Sequence, residues 1–314
     1  MGKSKLPADV FPPLALSRSE KQAIVNYTEE LVAETLMTSE KFIAHHRKLN
    51  PERWKYVKTQ EQLHVYRSRR RKSSSSLEPP QLLDMSSNGS YTSSEASQTK
   101  ASSSRGHSHR HDADYLTDGS LLERAQSARA PLMVITGKME GTVEDAAFGA
   151  LADNEARWRL RDAYIGDEYD DQKILATLKT PTDDDPFRFL GVKWATKVLG
   201  TFISQRDMVY VESTGISRDS NGERVACVLQ HSYALDRRQV EVFCRAFNDM
   251  GGDILEGVTV NLFKEMLLSV GGLVQCSYVK KLKWQMSARE REAREHATTL
   301  ATQTHAPTHS SSDA

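Results

Sequence analysis

The sequence predicts an α+β protein in which an antiparallel sheet is closed by a long helix near the C-terminus and interrupted by one large insertion. Three observations carry this. Residues 186–232 read as three consecutive strands, residues 258–278 carry apolar groups over a broad helical face, and residues 68–130 are Ser-rich with few large apolar groups. A chain of 314 residues holds one large domain or two small ones. Only 38% of them are hydrophobic and mean hydropathy is -0.56, so a sizeable part is expected to stay unfolded.

At the N-terminal end, Ser17 and Glu20 make an S-x-x-E capping box. Ile24, Val25, Leu31, Val32, Leu36 and Ile43 then line one side of a helix expected to end near Leu49, before Pro51. Residues 54–57 and 63–67 are short strands separated by the polar stretch 58–62. In residues 68–130 burial cannot offset an ordering entropy of roughly 1–2 kcal/mol per residue, so a disordered insertion is expected. Leu82, Leu83, Leu121 and Leu122 are candidate docking points within it.

Order is expected to resume at Pro131, with a strand over residues 132–135. Thr142 is a candidate N-cap for a helix through Ala146, Ala147, Phe148 and Leu151, and Asp145 in its first turn complements the helix dipole. The stretch around Trp158 and Tyr164 reads as polar; residues 174–178 form a strand ended by a turn at 181–186. Phe187, Phe189, Leu190, Val192 and Trp194 put apolar groups on both faces of the next strand, which suits one covered on both sides. Residues 208–216 and 225–230 form a hairpin whose link contains Asn221-Gly222, the pair that most readily takes the positive φ angles of a tight turn. Residues 239–247 give a last strand with Glu241 and Arg245 on the face shared by Phe243 and Phe247. Gly271-Gly272 interrupts the final helix at about 1 kcal/mol per glycine, which calls for a kink or a close approach to the sheet. From Ser287 the chain becomes charged, then Thr/His/Ser-rich, and is expected to be frayed or disordered. The organisation is thus 1–67 (helix and first two strands), 68–130 (insertion), 131–286 (main part) and 287–314 (tail).

The chemistry the sequence excludes is as informative. With 42 basic and 42 acidic residues, global charge gives no reason to expect nucleic acid. Cys227, Cys244 and Cys276 are too few and too scattered for a disulfide framework or a four-thiolate zinc site. His107, His109 and His111 are the one histidine cluster with a metal reading, and its low-complexity setting makes it a weak one, so neither metal nor cofactor is expected. His231-Ser232 with Asp236 lacks a nucleophile elbow and is no hydrolase site. Residues 1–10 lack the apolar core of a signal peptide, and Leu6 stands where acylation of Gly2 wants Ser or Thr. A cytoplasmic protein, at most peripheral at membranes, is the expectation.

The run Gly141-Thr142-Val143-Glu144-Asp145 with Phe148-Gly149, the phrase from Pro181-Thr182 through Asp185-Pro186-Phe187-Arg188-Phe189-Leu190-Gly191-Val192-Lys193-Trp194, then Arg206-Asp207-Met208-Val209-Tyr210, Gly222-Glu223-Arg224 and His231-Ser232 resemble the START-like lipid-transfer family. The likeness is to a branch often associated with FYVE-type zinc fingers, here without the finger, and runs from about Phe11 to Lys283 outside the insertion. The resemblance implies a helix-grip fold: a curved antiparallel sheet around the C-terminal helix, enclosing an apolar tunnel for one lipid or sterol, with no catalytic motif. The sequence departs from the family in its insertion and in one strand expected to be missing, because residues 233–238 pass straight into the last strand.

Inside such a tunnel the polar candidates are Arg188, Arg206, Tyr210, Glu212 and His231, which also suit solvent-facing or structural pairs. The lining candidates Phe189, Val211, Val228, Phe243, Met266 and Val270 equally suit ordinary core. Arg69, Arg70, Arg71 and Lys72 precede serines 73–76 and fit an anionic membrane surface switched by phosphorylation, a nuclear-localisation signal or a solvated linker. Two functions stand side by side: non-enzymatic lipid or sterol binding, and a regulatory or scaffold protein that keeps the fold without its cavity. An enzyme of the related cyclase type would need a cavity acid or base that the sequence does not identify.

Overall fold

Ser17 starts the first helix as predicted: its hydroxyl accepts from the Glu20 backbone N–H at 3.2 Å while the Glu20 carboxylate accepts from the Ser17 N–H at 2.7 Å. This helix, α1 (Arg18–Ala44), stops short of Leu49. His46 and Arg47 lie in the left-handed region, at φ 56 and 58, and turn the chain toward the sheet. The structure is a computed structural model, and it describes residues 11, 14–69, 116, 120–125, 131–166, 169–197, 206–228, 231–236, 239–247 and 255–304.

Among the described residues, nine strands form one sheet: β1 (Trp54–Gln60), β2 (Leu63–Ser68), β3 (Met133–Glu140), β4 (Asp171–Lys179), β5 (Phe189–Lys197), β6 (Arg206–Arg218), β7 (Arg224–Val228), β8 (His231–Asp236) and β9 (Gln239–Ala246). Their spatial order is β1-β2-β3-β9-β8-β7-β6-β5-β4, with every neighbouring pair antiparallel. After β3 the chain crosses one face through two helices, α3 (Val143–Ala150) and α4 (Glu155–Ile165), to start the far edge at β4; it then meanders back to close on β3.

That order corrects one expectation. The strand expected to be missing is present: the link read over residues 233–238 belongs largely to β8, whose His231 pairs with Val228 on one side and Ser232 with Phe243 on the other. The backbone groups of β7 and β9 would otherwise face each other unpaired, and a strand between them satisfies both. The β6–β7 hairpin forms, though not through a two-residue turn. Gly222 alone is left-handed, at φ 79, and the Asp219 carboxylate accepts from the Asn221 and Glu223 N–H groups at 2.9 and 2.8 Å. The stretch around Trp158 is also more than a polar loop: it is α4, N-capped by Asn154 and closed by left-handed Gly166.

The two faces of the sheet are divided as strand alternation demands. On the inner face, Leu63, Val65, Met133, Ile135, Val240, Val242 and Cys244 pack with α3 and with the C-terminal helices. On the outer face, Trp54, Leu132, Val134 and Phe243 pack with Phe42 of α1. The expected shared face of Glu241, Phe243 and Arg245 is this outer one: Phe243 stacks on Phe42, Glu241 pairs with Arg47, and Arg245 pairs with Glu34. One part of the insertion docks here. Leu116 is buried in this cluster, and a short helix α2 (Leu121–Ala125) receives Glu34 at the Leu121 N–H while Leu122 packs alongside. Leu82 and Leu83, His107, His109 and His111, and Arg70 to Lys72 lie outside the described residues.

The glycine pair breaks the final helix into α5 (Glu256–Leu268), a 3-10 turn at Ser269–Gly272 and α6 (Leu273–Thr304). α6 is fixed to α3. A Cβ on Gly149 would lie 1.8 Å from the Leu273 carbonyl oxygen, so only glycine allows the two helices to meet there. Lys280 donates to the carbonyls of Phe148, Gly149 and Leu151 at 2.7–2.8 Å, satisfying the C-terminal end of α3, and Lys281 pairs with Asp145 at its start. Thr142 caps that start, accepting from the Asp145 N–H at 3.1 Å. α6 continues past Ser287 to Thr304, where the sequence alone predicts a frayed tail. By length and composition the stretch Glu256–Thr298 is apolar enough to cross a membrane, and 39% of its most apolar window is buried in this fold.

Candidate functional site

The inner face of β5 and β6 carries charge where the rest of that face is apolar. The register sets Gly191 opposite Glu212 and Lys193 opposite Tyr210, so these groups share one surface beneath α4. Glu212 and Lys193 are fully buried, and Nζ of Lys193 lies 2.6 Å from the Glu212 carboxylate and 2.7 Å from the Ala152 carbonyl oxygen. From α4, Arg161 meets both oxygens of Glu212 at 3.1 Å, a parallel two-bond pairing, and its Nη1 also donates to the Ala150 carbonyl at 2.8 Å. Asp162 lies beside Arg161 at 3.3 Å and accepts from Gln172 at 3.4 Å.

Aromatic rings wall this cluster. The Lys193 ammonium sits 4.4 Å from the centre of the Trp158 ring and 4.8 Å from that of Phe189. Tyr169 and Tyr210 meet Trp158 edge-on at 6.1 and 6.2 Å. Burial pulls the Lys193 ammonium down to about 8, opposed by the charge of Glu212. For Glu212 burial pushes upward, but Arg161 and then Lys193 outweigh it, and its carboxyl is held below the ordinary glutamate value. Burial, reinforced by Glu212, raises the Tyr210 phenol. Among the described residues, the buried indole N–H of Trp158 has no hydrogen-bond partner.

Of the residues singled out from sequence, Phe189, Tyr210 and Glu212 lie on this inner face together. Met266 on α5 and Val270 in the 3-10 turn pack in the main cluster facing the sheet. Phe243 lies on the opposite face against α1, and Val211, paired with Val192 and out of step with Glu212, shares that outer side. Arg188 lies outside too, donating to Ser213 Oγ at 3.2 Å, with its chain against Gly215. Arg206 stands opposite Lys197 at the start of β6, and Val228 is paired with Thr214 and His231. Lys193, Arg161 and Trp158 are not among the site residues the sequence singles out. A lone lysine inside an otherwise apolar strand is the signal that could have found the first.

A cleft of about 270 Å³ opens where the 3-10 turn passes the β1–β2 turn and the end of α4. Gln60, Glu61, Tyr164, Ile165, Ser269 and Gln275 are among its lining residues. Gly271 approaches Leu63 here, and Gly272 approaches Ile165.

A sheet in the order β1-β2-β3-β9-β8-β7-β6-β5-β4, with its inner face closed over a C-terminal helix, settles the architecture. The fold is a helix grip. No family model and no curated relative matches the chain. Among solved structures, the chain is similar to human StAR-related lipid transfer protein 5, at 11% identity over 83% of this chain and 99% of that one, with a TM-score of 0.37. It is similar also to human STARD10, at 8% identity over 80% and 82% of the two chains and a TM-score of 0.40. A third is a STAR-related lipid transfer protein fragment from Xanthomonas axonopodis, at 10% identity, 72% and 99% coverage and a TM-score of 0.36. In this helix grip the aromatic-walled charge cluster is the strongest candidate for a ligand site among the described residues.

Proposed function

We propose that the chain binds one lipid or sterol, without chemistry, between the inner face of the sheet and the C-terminal helices. The polar end of the ligand meets the Arg161–Glu212–Lys193 cluster and the apolar body runs along the α5–α6 side, entering by the cleft at the 3-10 turn. The observation that carries this reading is the orphan indole N–H of Trp158, fully buried beside that cluster. A buried unmade hydrogen bond costs about 1–3 kcal/mol, and an oxygen on the ligand would relieve it. The cluster pairs two cations with two carboxylates, Glu212 and Asp162, so it favours a neutral polar group, such as a hydroxyl, over a phosphate. A transient contact with an anionic membrane through Arg69, Arg70, Arg71 and Lys72 is part of the same proposal.

The scaffold alternative rests on an absent strand and on the long insertion, and β8 removes the first of these grounds. The test uses the full purified chain. Native mass spectrometry after incubation with a cell lipid extract should show one bound lipid, and uptake of a fluorescent sterol should saturate. Trp158→Phe keeps the ring and removes the donor, and should weaken uptake about fivefold, the equivalent of about 1 kcal/mol. No bound lipid together with no saturable uptake of sterol or phospholipid would falsify the reading in favour of the scaffold role.

A further inference from the structure

The end of the insertion is strapped to the outer face of the sheet through one carboxylate. Glu34 on α1, its side chain 14% exposed, accepts from the Leu121 N–H at 2.5 Å through one oxygen and from Arg245 at 2.8 Å through the other. Arg245 also donates to the Leu116 carbonyl at 2.5 Å, and the Leu116 side chain, 1% exposed, fills a slot among Phe42, Trp54, Leu132, Val134 and Phe243. Ser120 opens α2, its carbonyl accepting from the Arg124 N–H at 3.0 Å, and it directly precedes the amide that Glu34 holds. In the sequence Ser120 stands between Asp118 and Glu123.

We propose that Ser120 is a phosphorylation site and that its phosphate releases the strap. The phosphoryl donor is ATP, and the enzyme is a protein kinase that selects acids beside the acceptor, since Asp118-Gly119-Ser120-Leu121-Leu122-Glu123 suits a basic substrate groove. The Ser120 oxygen bonds to the γ-phosphorus as the bond from that phosphorus to the β–γ bridging oxygen breaks; ADP leaves, and the hydroxyl proton passes to the kinase's catalytic carboxylate. The product carries about two negative charges one residue from the N–H that Glu34 holds, and the half-buried setting of Glu34 screens the repulsion poorly. The kinase takes the strap in its open state, and the phosphate prevents it from closing again. Release leaves the slot lined by Phe42, Trp54 and Phe243 open. The strap lies on the outer face, away from the Arg161–Glu212–Lys193 cluster, so the proposal does not rest on the ligand reading.

Incubation of the full purified chain with ATP and an acid-directed protein kinase, followed by peptide mass spectrometry, should place phosphate on Ser120. Hydrogen exchange of the segment 116–125 should then run at least about tenfold faster than in the unmodified chain. Leu116→Ser empties the slot and sets the rate of an open strap, which the phosphorylated chain should approach. In Ser120→Ala the same treatment should leave exchange of this segment unchanged, which separates Ser120 from phosphates elsewhere. In Glu34→Gln the acceleration on phosphorylation should fall to about threefold or less, because the opposing charge is gone. Absence of phosphate on Ser120, exchange that it leaves unchanged or slows, or the same acceleration in Glu34→Gln would each overturn the proposal. None of these readouts involves a bound lipid, so failure of the ligand reading leaves them standing.

Discussion

Glu212→Ala should destabilise the protein by about 3–5 kcal/mol in urea unfolding, because it strands two buried cations at once. Arg161 and Lys193 both converge on this carboxylate, at 3.1 and 2.6 Å, and both are buried. Adding Lys193→Met should recover part of the loss by removing one stranded charge while filling its volume. The pH dependence follows the sign of the shift. The folded pKa of Glu212 is held below the ordinary value of 4.5, burial notwithstanding, by Arg161 and Lys193. Its contribution is therefore complete above 4.5 and is lost as pH falls through the lower folded value. Asp145 acts in the same direction: burial opposes its ionisation, but Lys281 and Thr142 hold its pKa below 3.8. Glu212→Gln should flatten the acid limb of a stability-against-pH curve. A loss under about 1 kcal/mol for Glu212→Ala would show that the cluster is open to water.

Gly149→Val carries the second large effect, a loss of about 3 kcal/mol. The obstacle is backbone: the Leu273 carbonyl carbon lies 2.6 Å from the position of the added Cβ and its oxygen 1.8 Å, so no side-chain rotation relieves the clash. α3 and α6 must part, and the three bonds from Lys280 stretch with them. Gly257→Ala in α5 is the matched control, since nothing lies within 4 Å of its Cβ. That variant should be neutral or gain up to about 1 kcal/mol from reduced unfolded-state entropy. Equal melting temperatures for the two variants would sink the account of α3–α6 contact.

Much of the fold is legible in local pattern. The capping box at Ser17, the cap at Thr142, the paired outer face of β9 and the interruption at Gly271-Gly272 all follow from residue type and spacing. α4 hides because its buried side is Trp158, Arg161 and Asp162, so charge sits where a helical pattern expects apolar groups. β8 hides because a short run with a polar end looks like a connection until its neighbours on both sides are known. Phe243 could be assigned a partner face with Glu241 and Arg245, but not which face was the inner one.

What the sequence by itself determined is the set of elements with a clear period, and the side of each on which apolar groups gather. The tertiary structure decided which sides meet. Strand order places Lys193 beside Glu212, and the crossing of α4 brings Arg161 onto both; these contacts join residues far apart in the chain. Local periodicity reports only whether a side chain is buried, whereas the free energy of a buried charge depends on the partner that topology puts within hydrogen-bond reach.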